Sequence, residues 1–151
     1  MEKQLAKNLG LLVIVTSIIV MLGWIFDIGL LKSILPGWVS MKFSTAFSFL
    51  MSGFTLVAIS YSHKNLSSIN LVVLSSTTLI LLLVMTTLLI SSLLGFSTGI
   101  EGFFVQEVSG SAYTSVPGRP SIGTMAGFIM MALAGLFTIL RPMHMVKSFL
   151  L

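Results

Sequence analysis

Ile69-Asn70-Leu71-Val72-Val73-Leu74-Ser75-Ser76-Thr77-Thr78-Leu79-Ile80-Leu81-Leu82-Leu83-Val84-Met85-Thr86-Thr87-Leu88-Leu89-Ile90-Ser91-Ser92-Leu93-Leu94 is an uninterrupted apolar run with no acidic or basic side chain. A membrane span needs about 20 predominantly apolar residues to bridge a hydrocarbon core of roughly 30 Å, and this run exceeds that length. Its valines and isoleucines do not make it a strand. Backbone groups in lipid must be bonded within their own segment, and an isolated apolar run can do that only as a helix. The surplus length predicts tilt, or extension into the headgroups.

Working outward, three more blocks have the same character: Leu9 to Phe26, Phe43 to Tyr61, and Ile122 to Leu140, again without a charged side chain. The chain reads as all-α, a four-helix transmembrane bundle forming a single membrane domain over residues 1–151, multi-pass in the cell membrane. Lipid is thus its first partner. Composition agrees, since 56% of residues are hydrophobic and 8% charged, whereas a soluble domain carries roughly 25% charged residues. The first block follows Lys3 and Lys7 as a signal peptide would, but no small-x-small cleavage pattern closes it, so it reads as a retained span.

The formal net charge is +4, yet the basic residues are scattered singly, without the patch that phosphate recognition needs, which excludes nucleic acid as a partner. Cysteine is absent, which excludes disulfides, thiolate metal sites and cysteine nucleophiles. No cofactor is expected.

Lys and Arg in the short flanks set orientation. With the N-terminus inside, Lys3, Lys7, Lys64, Arg141 and Lys147 are cytoplasmic, against Lys32, Lys42 and Arg119 outside. The expected topology is N-in, C-in. The link Ser62 to Ser68 is short and makes the second and third spans antiparallel neighbours. The outer connection Asp27 to Lys42 carries Leu30, Leu31, Ile34 and Leu35 at helix-like spacing, predicting a short interfacial helix with its apolar face down. Trp24 and Trp38 mark the same boundary.

The two halves of the chain form a two-span pseudo-repeat: span, outer connection, Pro-Gly, then a span opening with small and hydroxyl residues. The first re-entry runs from Pro36-Gly37 through Lys42-Phe43-Ser44-Thr45-Ala46, and the second from Pro117-Gly118-Arg119 through Ile122-Gly123-Thr124. The stretch Gly23-Trp24-Ile25-Phe26-Asp27-Ile28-Gly29-Leu30-Leu31-Lys32-Ser33-Ile34-Leu35-Pro36-Gly37, then Met41-Lys42 and Thr45-Ala46, resembles the multi-span N-terminal membrane region of bacterial and archaeal sensor histidine kinases and diguanylate cyclases. Gly99-Ile100-Glu101, Pro117-Gly118-Arg119 and Thr124 extend the resemblance, which covers about Gly23 to Leu140. Phe43-Ser44 and Ile122-Gly123 replace the Pro-Asn usual before the family's threonine. Members of that family continue into output domains, whereas this chain stops at Leu151. The resemblance therefore implies a sensor region separated from its effector, or a free-standing relative acting through a partner.

Several residues are candidates for function. Asp27, Lys32, Lys42, Glu101 and Arg119, with Glu107 nearby, could form a polar cluster on the outer face. Asp27 lies at a span end, where it reads as a helix boundary or local ion pair more readily than as a proton carrier. Glu101 and Glu107 sit in a Gly-Ser-rich loop with no histidine or metal-ligand pattern beside them, so catalysis is not expected. His63 and His144 read as interfacial bases. In the second span, Ser44, Ser48, Ser52 and Thr55 recur at steps of four, four and three, which puts them on one helix face. Such hydroxyls gain nothing against lipid; against another helix each contact gives about 0.6 kcal/mol on average. Gly123-x-x-x-Gly127, with Ala134 and Gly135 further along, permits close helix approach, within the chain or in a homodimer. Met125, Met130 and Met131 read as flexible filler. Ser75, Ser76, Thr86, Thr87 and Ser91 of the third span invite the same packing reading.

Three functions follow as expectations. The first is a membrane-embedded signal-sensing or signal-transmitting module, non-enzymatic, with a cytoplasmic signalling partner. The second is a small accessory subunit of a larger membrane protein complex. The third, a small four-helix transporter, lacks the mid-membrane charge that coupling requires. Tags at the two termini should both report the cytoplasmic face in protease-protection assays on sealed vesicles; tags on opposite faces would contradict four crossings.

Overall fold

The computed structural model describes residues 2–33, 40–62, 67–100 and 118–149, which form five helices and no strand. They are α1 (Glu2–Ile25), α2 (Gly29–Lys32), α3 (Phe43–Ser62), α4 (Ser68–Leu94) and α5 (Ile122–Phe149). Four of them are long and apolar enough to cross a membrane: α1, α3, α4, and the Ile122–Leu140 part of α5. The protein is therefore an all-α, multi-pass membrane protein, a helical bundle with apolar surface for lipid. Leu12, Val15 and Ile25 on α1, Leu79 and Leu83 on α4, and Met130 and Phe137 on α5 stand exposed. In water they would form an apolar patch far larger than a soluble monomer carries; in a bilayer they cost nothing.

The ends of the helices show an antiparallel order. Lys7 near the start of α1 lies 5.2 Å from the ring centroid of Tyr61 near the end of α3. At the opposite face, Trp24 Nε1 donates to Met41 O just before α3 (2.7 Å). On that same face Ser44 Oγ, in the first turn of α3, donates to Gly118 O just before α5 (2.8 Å). We refer to these as the Lys7 face and the Arg119 face.

The centre of the bundle is α3. It packs against α1 on one side and against α4 and α5 on the other, while α4 and α5 also pack together. Two buried stripes on α3 make this possible. Gly53 and Val57 meet α1, where a Cβ on Gly53 would stand 2.7 Å from Ile14 Cγ1 and 3.0 Å from Gly10 O, and one on Gly10 would stand 2.7 Å from Val57 Cγ2. The two glycines bring the backbones of α1 and α3 together, as small residues do in membrane helix pairs. On the other side, Ser48, Thr55 and Ala58 are buried, and Thr55 Oγ1 shares a 2.9 Å hydrogen bond with Thr77 Oγ1 of α4. Gly135 of α5 faces the same place, since a Cβ there would meet Thr78 Oγ1 at 2.5 Å and Thr55 Cγ2 at 3.1 Å. Leu81, Met85 and Leu88 of α4 with Met125, Phe128 and Ala132 of α5 complete the core.

The connection after α1 differs from the sequence expectation. The helix α1 ends at Ile25, so Phe26 lies outside it. Asp27 takes φ 55, and Ile28 N donates back to Gly23 O at 2.8 Å, the six-to-one bond that closes a helix on a left-handed residue. The interfacial helix is only the single turn Gly29–Lys32, with no buried residue. It stops because Ser33 is extended (φ −142, ψ 142), and Lys32 O is taken by Met41 N at 2.9 Å, which turns the chain back toward α3. Leu30 is exposed, and Leu31 rests on Gly23. Ile34, Leu35 and Trp38 lie outside the described residues.

Gly53→Val should separate α1 from α3, lowering stability by about 1–3 kcal/mol through overpacking. Gly127→Ala should cost nothing, because no atom of the described residues lies within 4 Å of the added Cβ. Titration from mild detergent into dodecyl sulfate, followed by helical circular dichroism, compares the two.

Candidate functional site

The Arg119 face gathers the polar groups of the bundle. At its centre is the end of α4. Gly95 caps the helix in the left-handed region (φ 72), its N–H donating to Ser91 O at 3.0 Å. A glycine is needed there, because a Cβ would strain that conformation. Ser91 is fully buried, and its Oγ donates to Phe96 O at 2.6 Å. Arg119 enters from the chain leading into α5, and its Nη2 donates to Ser91 Oγ at 2.7 Å and to Phe96 O at 2.9 Å. A fixed positive charge thus sits on the carbonyl end of α4, where the helix dipole favours it.

Arg119 is also tied to α3 through its neighbour. Gly118 adopts φ 74 and offers its carbonyl to Ser44 Oγ. Three residues beyond Gly118, Ser121 stands immediately before α5. Its Oγ accepts from Thr124 N (3.2 Å) and lies 2.8 Å from Thr124 Oγ1, satisfying one of the free N–H groups of the first turn. Residues 118–124 therefore couple the start of α3, the end of α4 and the start of α5.

The expected outer cluster is divided between two settings. Asp27 and Lys32 come together as an ion pair beside α1 and α2, with the Lys32 ammonium 4.6 Å from the Trp24 ring centroid. Arg119 instead engages Ser91 and Phe96 of α4. Lys42 is buried, 8% exposed, at the entry to α3. Glu101 and Glu107 lie outside the described residues, as do Pro36, Gly37 and Pro117 of the repeat motif and His63. Thr45 is half-buried in the first turn of α3, and His144 lies within α5.

On α3, Ser48 and Thr55 donate to the carbonyls of Ser44 and Met51, one turn back (2.8 and 2.9 Å). Ser52 is buried without a partner for its Oγ. It lines a cavity of about 440 Å³ between α1, α3 and α5, together with Val13, Phe49, Gly127, Phe128 and Met131. Phe49 and Phe128 meet edge to face there, with centroids 4.9 Å apart. Gly123 and Gly127 line the same cavity with no atom over them. Among the described residues no helix packs on the Gly-x-x-x-Gly face; the close helix–helix approaches are made by Gly10, Gly53 and Gly135.

In α4 the hydroxyls turned toward other helices include Thr77 and Thr78, which the sequence reading passed over. Ser75 and Ser76 are exposed and bond to carbonyls of their own helix. A hydroxyl stands at nearly every turn of that span, so periodicity alone gives no preferred face. The signal for Gly53 was that it is the lone glycine of the second apolar span; Gly10 shares the first span with Gly23. Comparison of the chain with family models, curated proteins and solved structures finds no match.

Arg119→Ala should lower stability by about 2 kcal/mol, because it removes charge-assisted bonds to Ser91 and Phe96. Arg119→Lys should recover only part, since a single ammonium does not reproduce the planar fork. The Lys32 ammonium, through its hydrogen bond and then its charge, holds the Asp27 carboxyl below its ordinary 3.8. A lowered folded-state value means that the pair's contribution is complete above the unfolded aspartate pKa of about 3.9 and disappears as pH falls through the folded value. Asp27→Asn should therefore lower stability slightly above about pH 4, where the pair is complete, and leave it unchanged at lower pH, so that the acid limb flattens.

Proposed function

We propose that this chain is a membrane-embedded signal-sensing or signal-transmitting module of the cell membrane, working on a cytoplasmic signalling partner rather than catalysing a reaction. The observation that carries the reading is the path of α5. It begins at the Arg119 junction, where α3 and α4 also meet, and continues as one helix to Phe149. The apolar span ends at Leu140, nine residues earlier, so about 14 Å of helix projects beyond it at 1.5 Å per residue. A change in how α3 and α4 sit at the Arg119 face is thereby passed along α5 toward the opposite face. Pro142 stands within that projecting part and withholds one backbone donor, which makes it a natural bending point. The resemblance to sensor membrane regions, in Gly23 to Gly37 and Pro117 to Thr124, points the same way. Coupled transport finds less support, because the four apolar spans carry no charged side chain.

The test joins a histidine-kinase output domain to α5 through linkers lengthened one residue at a time. Autophosphorylation should rise and fall with a period close to the helical 3.6 residues, and should change between vesicles of short-chain and long-chain phosphatidylcholine. Arg119→Ala should abolish the dependence on bilayer thickness. Output indifferent to linker phase and to thickness would refute the reading.

A further inference from the structure

Beyond Leu140 the character of α5 changes. The span from Ile122 to Leu140 has no ionisable side chain, but the helix continues to Phe149, and in residues 141–149 basic and apolar positions separate. At about 100° per residue, Arg141, His144, Lys147 and Ser148 fall within an arc of about 120°, while Pro142, Met143, Met145, Val146 and Phe149 take the remaining side. No acidic residue stands among them. A helix that is basic on one side and apolar on the other is the pattern of segments that lie in a membrane interface.

Posture follows from the same division. A straight continuation off the membrane leaves the apolar side in water, where it forgoes the gain of burial. Laid along the surface, that side enters the acyl boundary while the basic side meets the headgroups. Pro142 stands where the two directions part, and its missing N–H removes one of the bonds that would hold the next turn in line.

The surroundings carry the same sign of charge. Both α3 and α5 start at the Arg119 face, joined through Ser44 and Gly118, so α5 leaves its span at the Lys7 face. There α1 begins with exposed Lys3 and with Lys7 over the Tyr61 ring, and α1 and α5 border one cavity through Val13 and Met131. An acidic protein would answer the charge alone. An anionic lipid surface answers the charge and the apolar side together, and Leu140 already ends in it.

We propose that the 141–149 extension is a lipid-binding helix, which lies on the leaflet at the Lys7 face and takes anionic phospholipid headgroups along Arg141, His144 and Lys147. This deepens the sensing reading by giving it a regulator, since lipid charge sets whether the extension lies down or stands free for a partner. It rests on that reading only for its biological meaning, because posture is measured without any output.

The test uses the full chain, which has no native cysteine, with a nitroxide on Val146→Cys or on Ser148→Cys. Vesicles are dioleoylphosphatidylcholine alone, or in equal parts with dioleoylphosphatidylglycerol. Collisions with oxygen, which concentrates among acyl chains, and with a water-soluble nickel chelate report depth. With phosphatidylglycerol, position 146 should gain oxygen collisions and lose nickel collisions, while position 148 stays open to nickel. Phosphatidylcholine alone should leave both positions more open to nickel, and concentrated salt should undo the effect of phosphatidylglycerol by screening. Lys147→Gln should lower the ratio of lying to upright helix about fivefold, the share of one base near an anionic surface, with helical circular dichroism unchanged. Equal nickel access at both positions in anionic vesicles, or depth at 146 indifferent to lipid charge, overturns the proposal. So does protection of 146 from oxygen and nickel alike in both lipids, which would put a second copy over the apolar side. Depth that follows lipid charge combined with a silent kinase fusion would refute the sensing reading alone; a fusion that responds to thickness with depth indifferent to charge would refute this proposal alone.

Discussion

Apolar side chains gain nothing by leaving lipid for one another, so helices in a bilayer are held together by close packing and by hydrogen bonds. In this chain both resources are concentrated on α3. Its Gly53 edge lets α1 approach to backbone contact at Gly10, and its opposite edge places Thr55 against Thr77 of α4 and beside Gly135 of α5. Neither arrangement works without small side chains, because the added carbon of any larger residue falls inside normal contact distance. The outer surfaces of α1, α4 and α5 are free to be greasy because α3 makes the specific contacts.

That economy leaves α1 and α5 flanking α3 without extensive contact between them, and the space between is the cavity below Phe49 and Phe128. Polar cohesion is placed elsewhere, at the Arg119 face. There a guanidinium, a helix-end carbonyl and two serines join the three helices that also share the core. The bundle thus has a tightly bonded end, a packed middle and a hollow flank.

The four spans were legible because the absence of charge over twenty or more residues has one physical meaning in any context. The hydroxyl stripe Ser44, Ser48, Ser52 and Thr55 was legible as a face, since spacing alone defines a face on a helix. What that face meets was not. Gly10 and Gly53 become a pair only when the register of two helices is known, whereas Gly123 and Gly127 advertise a packing motif that no described helix uses. The single-turn α2 was overestimated because Leu30, Leu31, Ile34 and Leu35 have helical spacing, while the bond from Met41 N to Lys32 O, invisible to periodicity, turns the chain after one turn. Arg119 was read as part of a surface cluster; its attachment to the end of α4 depends on how Gly95 and Phe96 fold back.

The central claim is that α3 is enclosed on two opposite sides while its neighbours are enclosed on one. Because the native chain has no cysteine, single cysteines carrying a nitroxide can be placed at every position of α3 and of α1, and their collision rates with oxygen measured in vesicles. The account predicts two protected arcs on α3, one around Gly53 and Val57 and the other around Ser48, Thr55 and Ala58, separated by accessible Phe49 on one side and Phe54 and Tyr61 on the other. A single protected arc should appear on α1. One protected arc on α3, with the Gly53 edge as open to oxygen as Phe54, would contradict it.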